Sequence, residues 1–232
     1  MQTALKSALA EVKNFDLFKD LDTLTIEQLC ENSQIKVHSH KQMVFSYGTP
    51  ALHFGVVLSG AYKLTRISAV GEESVIHFSS PGDVVAALIM TQKNITYPVT
   101  VKAMGPSRML VIPQETYLNR WIKNPMLIMK MQGLLSTRMA RLQNHKVMQR
   151  APMSSKIAAM LMQLVAQDNS SEQLEIPLPL TRKEIADSLG VTVESVIRVM
   201  SDWVKQGYIA TSDQHIKILK PEHLIQQIDR SE

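Results

Sequence analysis

The chain reads as an α+β protein in three parts: an antiparallel β-barrel or sandwich, one long helix, and a C-terminal winged helix-turn-helix. Three observations predict this. Between Ile35 and Pro113, Gly48, Gly60, Gly71 and Gly82 punctuate short segments rich in Val, Ile, Phe, Tyr and Thr, a rhythm that suits strands of about five or six residues joined by tight turns. From Asn124 to Arg150 the apolar period becomes helical. Finally, "LTRKEIADSLGVTVESVIRVMSDWVKQGYIA" carries two short helices around a glycine turn. The expected domains are a β-barrel at 1–123, a long helix at 124–151 and a winged helix-turn-helix at 152–232.

Composition sets outer bounds. The 232 residues are 45% hydrophobic and 20% charged, ordinary for a folded globular chain and unlike a disordered one. No apolar run approaches the ~18 residues of a membrane span, and charges of both signs interrupt "MQTALKSALAEVKNF", which therefore lacks the apolar core of a signal peptide. The expected compartment is the cytoplasm, with no membrane partner. Cys30 is the single cysteine, so one chain can build neither a disulfide framework nor an all-cysteine cluster. The net charge of +4 favours an anionic partner. Its distribution is uneven, with 17 Lys/Arg against 10 Asp/Glu up to residue 152 and 8 against 11 beyond it. A DNA-reading module at the C-terminal end must then rely on local cations.

The elements follow in order. "LTIEQLCENS" is a short helical lead with Thr25 as candidate N-cap. "HFGVVLSGAYKLTRI" and "GEESVIHF" read as consecutive strands joined by a hairpin turn at Ala69–Gly71, and the glycines serve turn chemistry. Asn124-Pro125 opens the long helix, on which Ile128, Met131, Leu135, Met139 and Leu142 form one stripe. This stripe suits pairing with a second copy through residues 124–150. Lys130, Arg138, Arg141, Lys146 and Arg150 share that helix with no acidic residue, so in a pair they splay outward or meet an anion. Ala151-Pro152 is a hinge. "SKIAAMLMQLVAQ" is a further helix, "DNSSEQ" a linker, and "LEIPLPL" a short strand.

Within the C-terminal block, Thr181 and Glu184 make a capping box for a helix running to about Leu189. Gly190 ends it, Thr192 caps a second helix to about Lys205, Gly207 stops that helix, and "YIATSDQHIKIL" is a hairpin. Two helices and a hairpin make a winged helix-turn-helix. On the second helix Val196, Val199, Met200, Trp203 and Val204 face inward, whereas Glu194, Ile197, Arg198 and Ser201 share the opposite side. Glu and Arg four apart can simply pair with each other. At the start of a recognition helix they suit base reading, Arg donating twice to guanine and Glu accepting from cytosine.

Those blocks together resemble the Crp/Fnr family of bacterial transcription regulators, from about Phe15 to Leu224. The matching stretches are "GTPALHFGVVLSGAYKL", "GEESVIHFSSPGDVV" and "LTRKEIADSLGVTVESVIRV". Val193-Glu194-Ser195-Val196-Ile197-Arg198 is similar to the Fnr-type V-E-T-x-x-R recognition helix; the cyclic-AMP receptor type has Arg at the place of Val193. The resemblance implies a cyclic-nucleotide-binding-like jelly roll, and a homodimer on an inverted repeat whose TGA arms Glu194 and Arg198 read. Ile197 stands where Ser is frequent, a departure that bears on bases outside that core. The candidate DNA-contacting residues are Arg182, Lys183, Thr192, Val193, Glu194, Ile197, Arg198 and Ser201. RNA polymerase is a further expected partner if the protein activates.

The same resemblance sets a cyclic-nucleotide cassette on "PGDVVAALIMTQKNITYP". Its ribose-binding Glu and phosphate-binding Arg are replaced, the stretch reading Ala86-Ala87-Leu88 and Tyr97-Pro98. Burying a phosphate without its cation is costly, so ordinary cyclic AMP is not the expected ligand, and no cofactor is required. The candidate effector residues are Ala86, Ala87, Leu88, Thr96, Tyr97, Arg138 and Arg141, the two arginines counting only if the long helix faces the barrel. The bland alternative for them is a solvated basic face. An Fnr-type iron–sulfur cluster needs four cysteines. His38 and His40 resemble part of a cupin metal site, but Met43, Val44, Phe45 and Ser46 stand where the acidic ligand belongs; they read as solvent-facing histidines. His77 and His145 are lone histidines without a haem-ligating partner. Neither a metal site nor catalytic residues are expected. A cupin-like barrel or a non-DNA scaffold is the alternative function.

Overall fold

The computed structural model describes residues 2–69, 71–165 and 174–229, with the side chains of 2–4, 141, 144–147 and 149 outside that description. The chain forms two compact units, one from residues 1–66 and 76–138, the other from 139–232 and the hairpin segment 67–75.

The first unit opens with a helix not anticipated from sequence, α1 (Gln2–Val12), which buries Ala8 and Val12. The next helix, α2 (Thr23–Leu29), is capped by Asp22 and not by Thr25. The Asp22 carboxylate accepts the Thr25 N–H at 2.9 Å and its hydroxyl at 2.6 Å. The earlier start seats Ile26 and Leu29, one turn apart, in the core.

Eight strands follow: β1 (Gln34–His38), β2 (Met43–Phe45), β3 (His53–Ser59), β4 (Tyr62–Ile67), β5 (Glu73–Ser79), β6 (Val84–Val85), β7 (Thr100–Ala103) and β8 (Ser107–Pro113). They make two four-stranded sheets, ordered β1-β8-β3-β6 and β2-β7-β4-β5, the two layers of a jelly roll. Gly48, Gly60, Gly71 and Gly82 all have positive φ, so turn chemistry accounts for the glycine rhythm. At Gly60 a side chain is doubly barred: φ is +74° and a Cβ would strike Ser107 Oγ. The core gathers Phe18, Phe54, Tyr62, Met109, Leu110, Ile112 and Trp121. Cys30 is buried there, which pushes its thiol up to about 12 and leaves it unreactive.

The long helix, α4 (Pro125–Val147), follows a short helix, α3 (Gln114–Asn119). Pro125 opens it, and the Asn124 side chain accepts the Leu127 N–H at 3.0 Å. Of the expected stripe only Met131 is buried and Ile128 half-buried, and the barrel-facing row is completed by Leu127 and Leu134, which that stripe did not include. Leu127 and Met131 are buried and Leu134 packs on the barrel core, whereas Leu135, Met139 and Leu142 are 48%, 53% and 61% exposed. At 3.6 residues per turn these sets lie on neighbouring faces, roughly a quarter-turn apart.

In the second unit, a single turn of 3₁₀ helix (Met148–Arg150) precedes Pro152, whose extended backbone caps α5 (Met153–Leu164). The linker "DNSSEQ" lies outside the described residues. Of "LEIPLPL" only two residues are strand, β9 (Leu174–Glu175). Pro177 and Pro179 cannot donate to a ladder, although Ile176, Leu178 and Leu180 still alternate into the core. α6 (Arg182–Leu189), α7 (Val193–Lys205), β10 (Ile209–Ser212), β11 (His215–Ile218) and α8 (Pro221–Asp229) complete the unit, its sheet ordered β10-β11-β9. Ser155 Oγ donates to Gln227 O at 2.6 Å, tying α5 to α8.

Candidate nucleic-acid interface

Local chemistry sets the two helices. Thr181 Oγ1 accepts the Glu184 N–H at 3.1 Å, and Glu184 Oε2 accepts the Thr181 N–H at 3.0 Å, a complete capping box. Gly190 takes the left-handed conformation (φ 66°, ψ 41°) that ends α6. Thr192 then caps α7, accepting the Ser195 N–H at 3.3 Å and donating to Ser195 Oγ at 3.0 Å.

Val196, Met200 and Trp203 of α7 are buried and anchor it. Val199 is half-buried, and Val204 is 41% exposed, contrary to expectation. Val204 sits one residue past Trp203, whose ring already fills the inward position on that last turn. Glu194, Ile197, Arg198 and Ser201 all stand exposed on one face, with Thr192 exposed at its head and Val193 half-buried beside it. Among the described residues no ion pair engages Glu194 or Arg198. The helix-stabilising pair is therefore not what these side chains do.

At the front of α6, Lys183 is exposed and pairs with Asp187 at 3.1 Å. Arg182 is half-buried; burial lowers its pKa, yet an arginine keeps its charge. The hairpin read from "YIATSDQHIKIL" is the wing, β10 paired with β11, although its tip was not among the expected DNA-contacting residues. Asp213 and Gln214, with φ of 47° and 68°, form the tight turn between β10 and β11, leaving Thr211, Ser212 and His215 exposed around it. The turn already marked the hairpin; that its tip flanks the second helix of the motif is the signal that points to these residues.

The cassette residues are differently disposed. Ala86 has a left-handed backbone (φ 66°), Ala87 is buried, Leu88 is half-buried and Thr96 is exposed. Tyr97 is 5% exposed and stacks on Phe45 at 4.6 Å. Its hydroxyl donates to His53 O at 2.7 Å and accepts from His53 N at 3.3 Å, so its polar end is already committed to backbone. Burial raises the Tyr97 pKa, and the hydroxyl stays neutral.

Arg138 is not a solvated basic residue. It is part-buried, and its guanidinium donates to Val84 O at 3.1 Å, beside the cassette. An i, i+4, i+7 and i+11 relation puts it on the same helix face as Leu127, Met131 and Leu134, which is why it meets the barrel. Arg141 lies outside the described side chains, as does His145.

Of the two histidines read as solvent-facing, His40 is exposed and His38 is not. His38 is buried, its Nδ1 3.0 Å from the Tyr62 hydroxyl. His40 lies beyond the end of β1, with Nδ1 2.6 Å from Met104 O. The two are not alternating partners on one strand. His77 is half-buried and engaged. Among the described residues no group of three or more His, Cys, Asp or Glu is arranged to hold a metal ion, and no helix is long and apolar enough to cross a membrane.

Comparison with known proteins agrees with both halves of the fold. Residues 155–227 match the Crp-like helix-turn-helix domain, and residues 36–123 match the cyclic nucleotide-binding domain. The chain is 27% identical over 192 residues to the nitrogen fixation regulation protein FixK of Bradyrhizobium diazoefficiens, covering 80% of this chain and 78% of the relative. It is 28% identical over 183 residues to the transcriptional activator protein Anr of Pseudomonas aeruginosa, covering 77% and 73%. The structure of FixK2 from Bradyrhizobium japonicum has the same fold, with a TM-score of 0.72 at 17% identity over 84% of this chain and 96% of that one. These relatives are regulators and not enzymes. With a matching cyclic nucleotide-binding domain, a matching helix-turn-helix and relatives spanning most of its length, this chain is a member of the Crp/Fnr family of DNA-binding transcription regulators.

Proposed function

We propose that the protein acts as a homodimer that reads an inverted repeat with TGA-containing arms, each arm met by Glu194 and Arg198 of one protomer. The observation that carries this is the exposed α7 face, on which those two side chains have no ion-pair partner among the described residues. A free guanidinium can donate twice to guanine, and a free carboxylate can accept from cytosine. Lys183 and Arg182 supply phosphate contacts from the front of α6, and the wing residues Thr211, Ser212 and His215 add backbone contacts beside them. Two protomers double these contacts, which offsets the acidic balance of the C-terminal part.

Self-association is supported by the exposed α4 row Leu135, Met139 and Leu142, an apolar face that does not pack on the barrel. Its members fall on the 3.5-residue spacing of a coiled-coil seam. If the regulator activates, RNA polymerase is its partner, and the site of action is the cytoplasm. The barrel belongs to a class that holds effectors, but its cassette does not suit cyclic AMP. Ala87 offers no side-chain acceptor to a ribose, and the Tyr97 hydroxyl is consumed by the His53 backbone.

Selection of bound duplexes from a random DNA pool tests the reading. The expected product is a symmetric motif with TGA arms, centred about one helical turn (~34 Å) apart. Recovery of no symmetric motif, even with cell extract added to supply an effector, overturns it in favour of a scaffold.

A further inference from the structure

β1 departs from the pattern expected of a jelly-roll strand. Gln34, Lys36 and His38 alternate along it and so share one face. Cross-strand neighbours of the first two are Val111 and Met109, the latter fully buried. His38 on the same face reaches the fully buried Tyr62. Of these three only His38 is buried; Gln34 and Lys36 stand exposed at the strand's open side, and Val37 on the other face is 71% exposed.

β1 and β2 are the edge strands of the two sheets. A cleft of about 490 Å³ lies between them, lined by Lys36, His38, His53, Phe45, Tyr97 and Val111 among others. That volume suits a small molecule. Among its described lining residues there is no carboxylate, against one lysine and two imidazoles. Phe45 and Tyr97 stack with an interplanar angle of 12° and offer an apolar wall. The Tyr97 hydroxyl, bonded to both backbone atoms of His53, fixes where that residue starts β3. His38 has its Nδ1 committed to Tyr62, which leaves Nε2 for a ligand. Ala86, Ala87, Leu88 and Arg138 do not line this cleft.

We propose that the β1–β2 cleft is a binding site for a small organic anion, a carboxylate or phosphate on a compact apolar body. Lys36, His38 and His53 meet the anion, and the Phe45–Tyr97 wall meets the body. It shares the Tyr97 ring with the cyclic-nucleotide cassette but none of Ala86, Ala87, Leu88 and Arg138, and gives the barrel an input that does not depend on the cassette's lost charges.

The test follows histidine side-chain resonances of the full-length protein during titration with benzoate, its neutral isostere benzamide, and inorganic phosphate. Benzoate is expected to shift His38 and His53 saturably, phosphate to do so more weakly, and benzamide not at all. Lys36→Gln and His53→Gln each remove a charged or polar partner, and each should weaken benzoate binding about tenfold. Lys36→Arg should retain binding, and Lys93→Gln, an exposed lysine outside the cleft, should not alter it. Lys36 and His53 are exposed, so an unchanged thermal midpoint separates lost binding from lost folding. Equal shifts from benzamide, binding that survives both glutamine variants, or no saturable shift from either anion overturns the proposal.

Discussion

Arg198→Ala isolates the recognition step. Arg198 is exposed on α7 and engages no carboxylate among the described residues, so its loss removes no packing. A surface change of this kind moves stability by less than about 0.5 kcal/mol, and Ala is the better helix former. The effect on DNA is different in kind. A bidentate Arg–guanine contact discriminates by about 1–3 kcal/mol. Two protomers each lose one, so the inverted repeat should lose about 2–6 kcal/mol, or roughly 30-fold to more than 10⁴-fold in Kd. Scrambled duplex, held by phosphate contacts, should be bound almost as before. Fluorescence anisotropy on the two duplexes at one fixed salt concentration measures both quantities, with the thermal midpoint as the folding control. Refutation would be a variant that binds the inverted repeat within about twofold of wild type. A parallel loss on scrambled DNA would refute base reading too, because it would make Arg198 a phosphate contact.

Three further outcomes are expected. Thr181→Ala breaks the capping box and deprives the buried Glu184 of one partner; a cost of about 1–2 kcal/mol should appear as a lower denaturation midpoint without a change in unfolding slope. Leu135→Lys adds charge to the exposed apolar row of an already basic helix, so light scattering should show monomers with native circular dichroism; a mass equal to wild type would remove this row from the self-association surface. Burial, followed by the Lys36 charge, holds the His38 pKa below its ordinary 6.5. The unfolded chain then takes up this proton first. The stability contributed by neutral His38 is complete above the unfolded pKa and is lost as pH falls from there toward the folded one. His38→Gln should flatten that part of the urea-midpoint profile, and an identical profile in the variant would show that His38 does not titrate with unfolding.

The elements ruled by near neighbours were legible in the chain. The Thr181–Glu184 box, the left-handed Gly190, the Thr192 cap and the two-faced α7 all depend on residues at most a few turns apart, and each stands where the sequence put it. The misread elements had two local solutions in competition, or a partner far along the chain. Asp22 and Thr25 both qualify as caps, and the choice went to the one that buries Ile26 and Leu29. Pro177 and Pro179 left alternation without a ladder. On α4, periodicity identified apolar residues but could not divide them between the barrel and the exposed row, because both sets satisfy nearly the same spacing.

By itself, then, the sequence determined the family, the order of the parts and the recognition helix, since these rest on short-range rules and on motifs carried by contiguous residues. Tertiary structure alone decided the barrel end. Tyr97 became a core ring bonded to a backbone 44 residues away, His38 turned inward to Tyr62 across 24 residues, and Arg138 reached Val84 across 54. Hydrogen-bond partners at such separations are chosen by how the sheets close and the helix docks. No local pattern encodes them, and the cleft between β1 and β2 exists only because two consecutive strands go to the edges of different sheets.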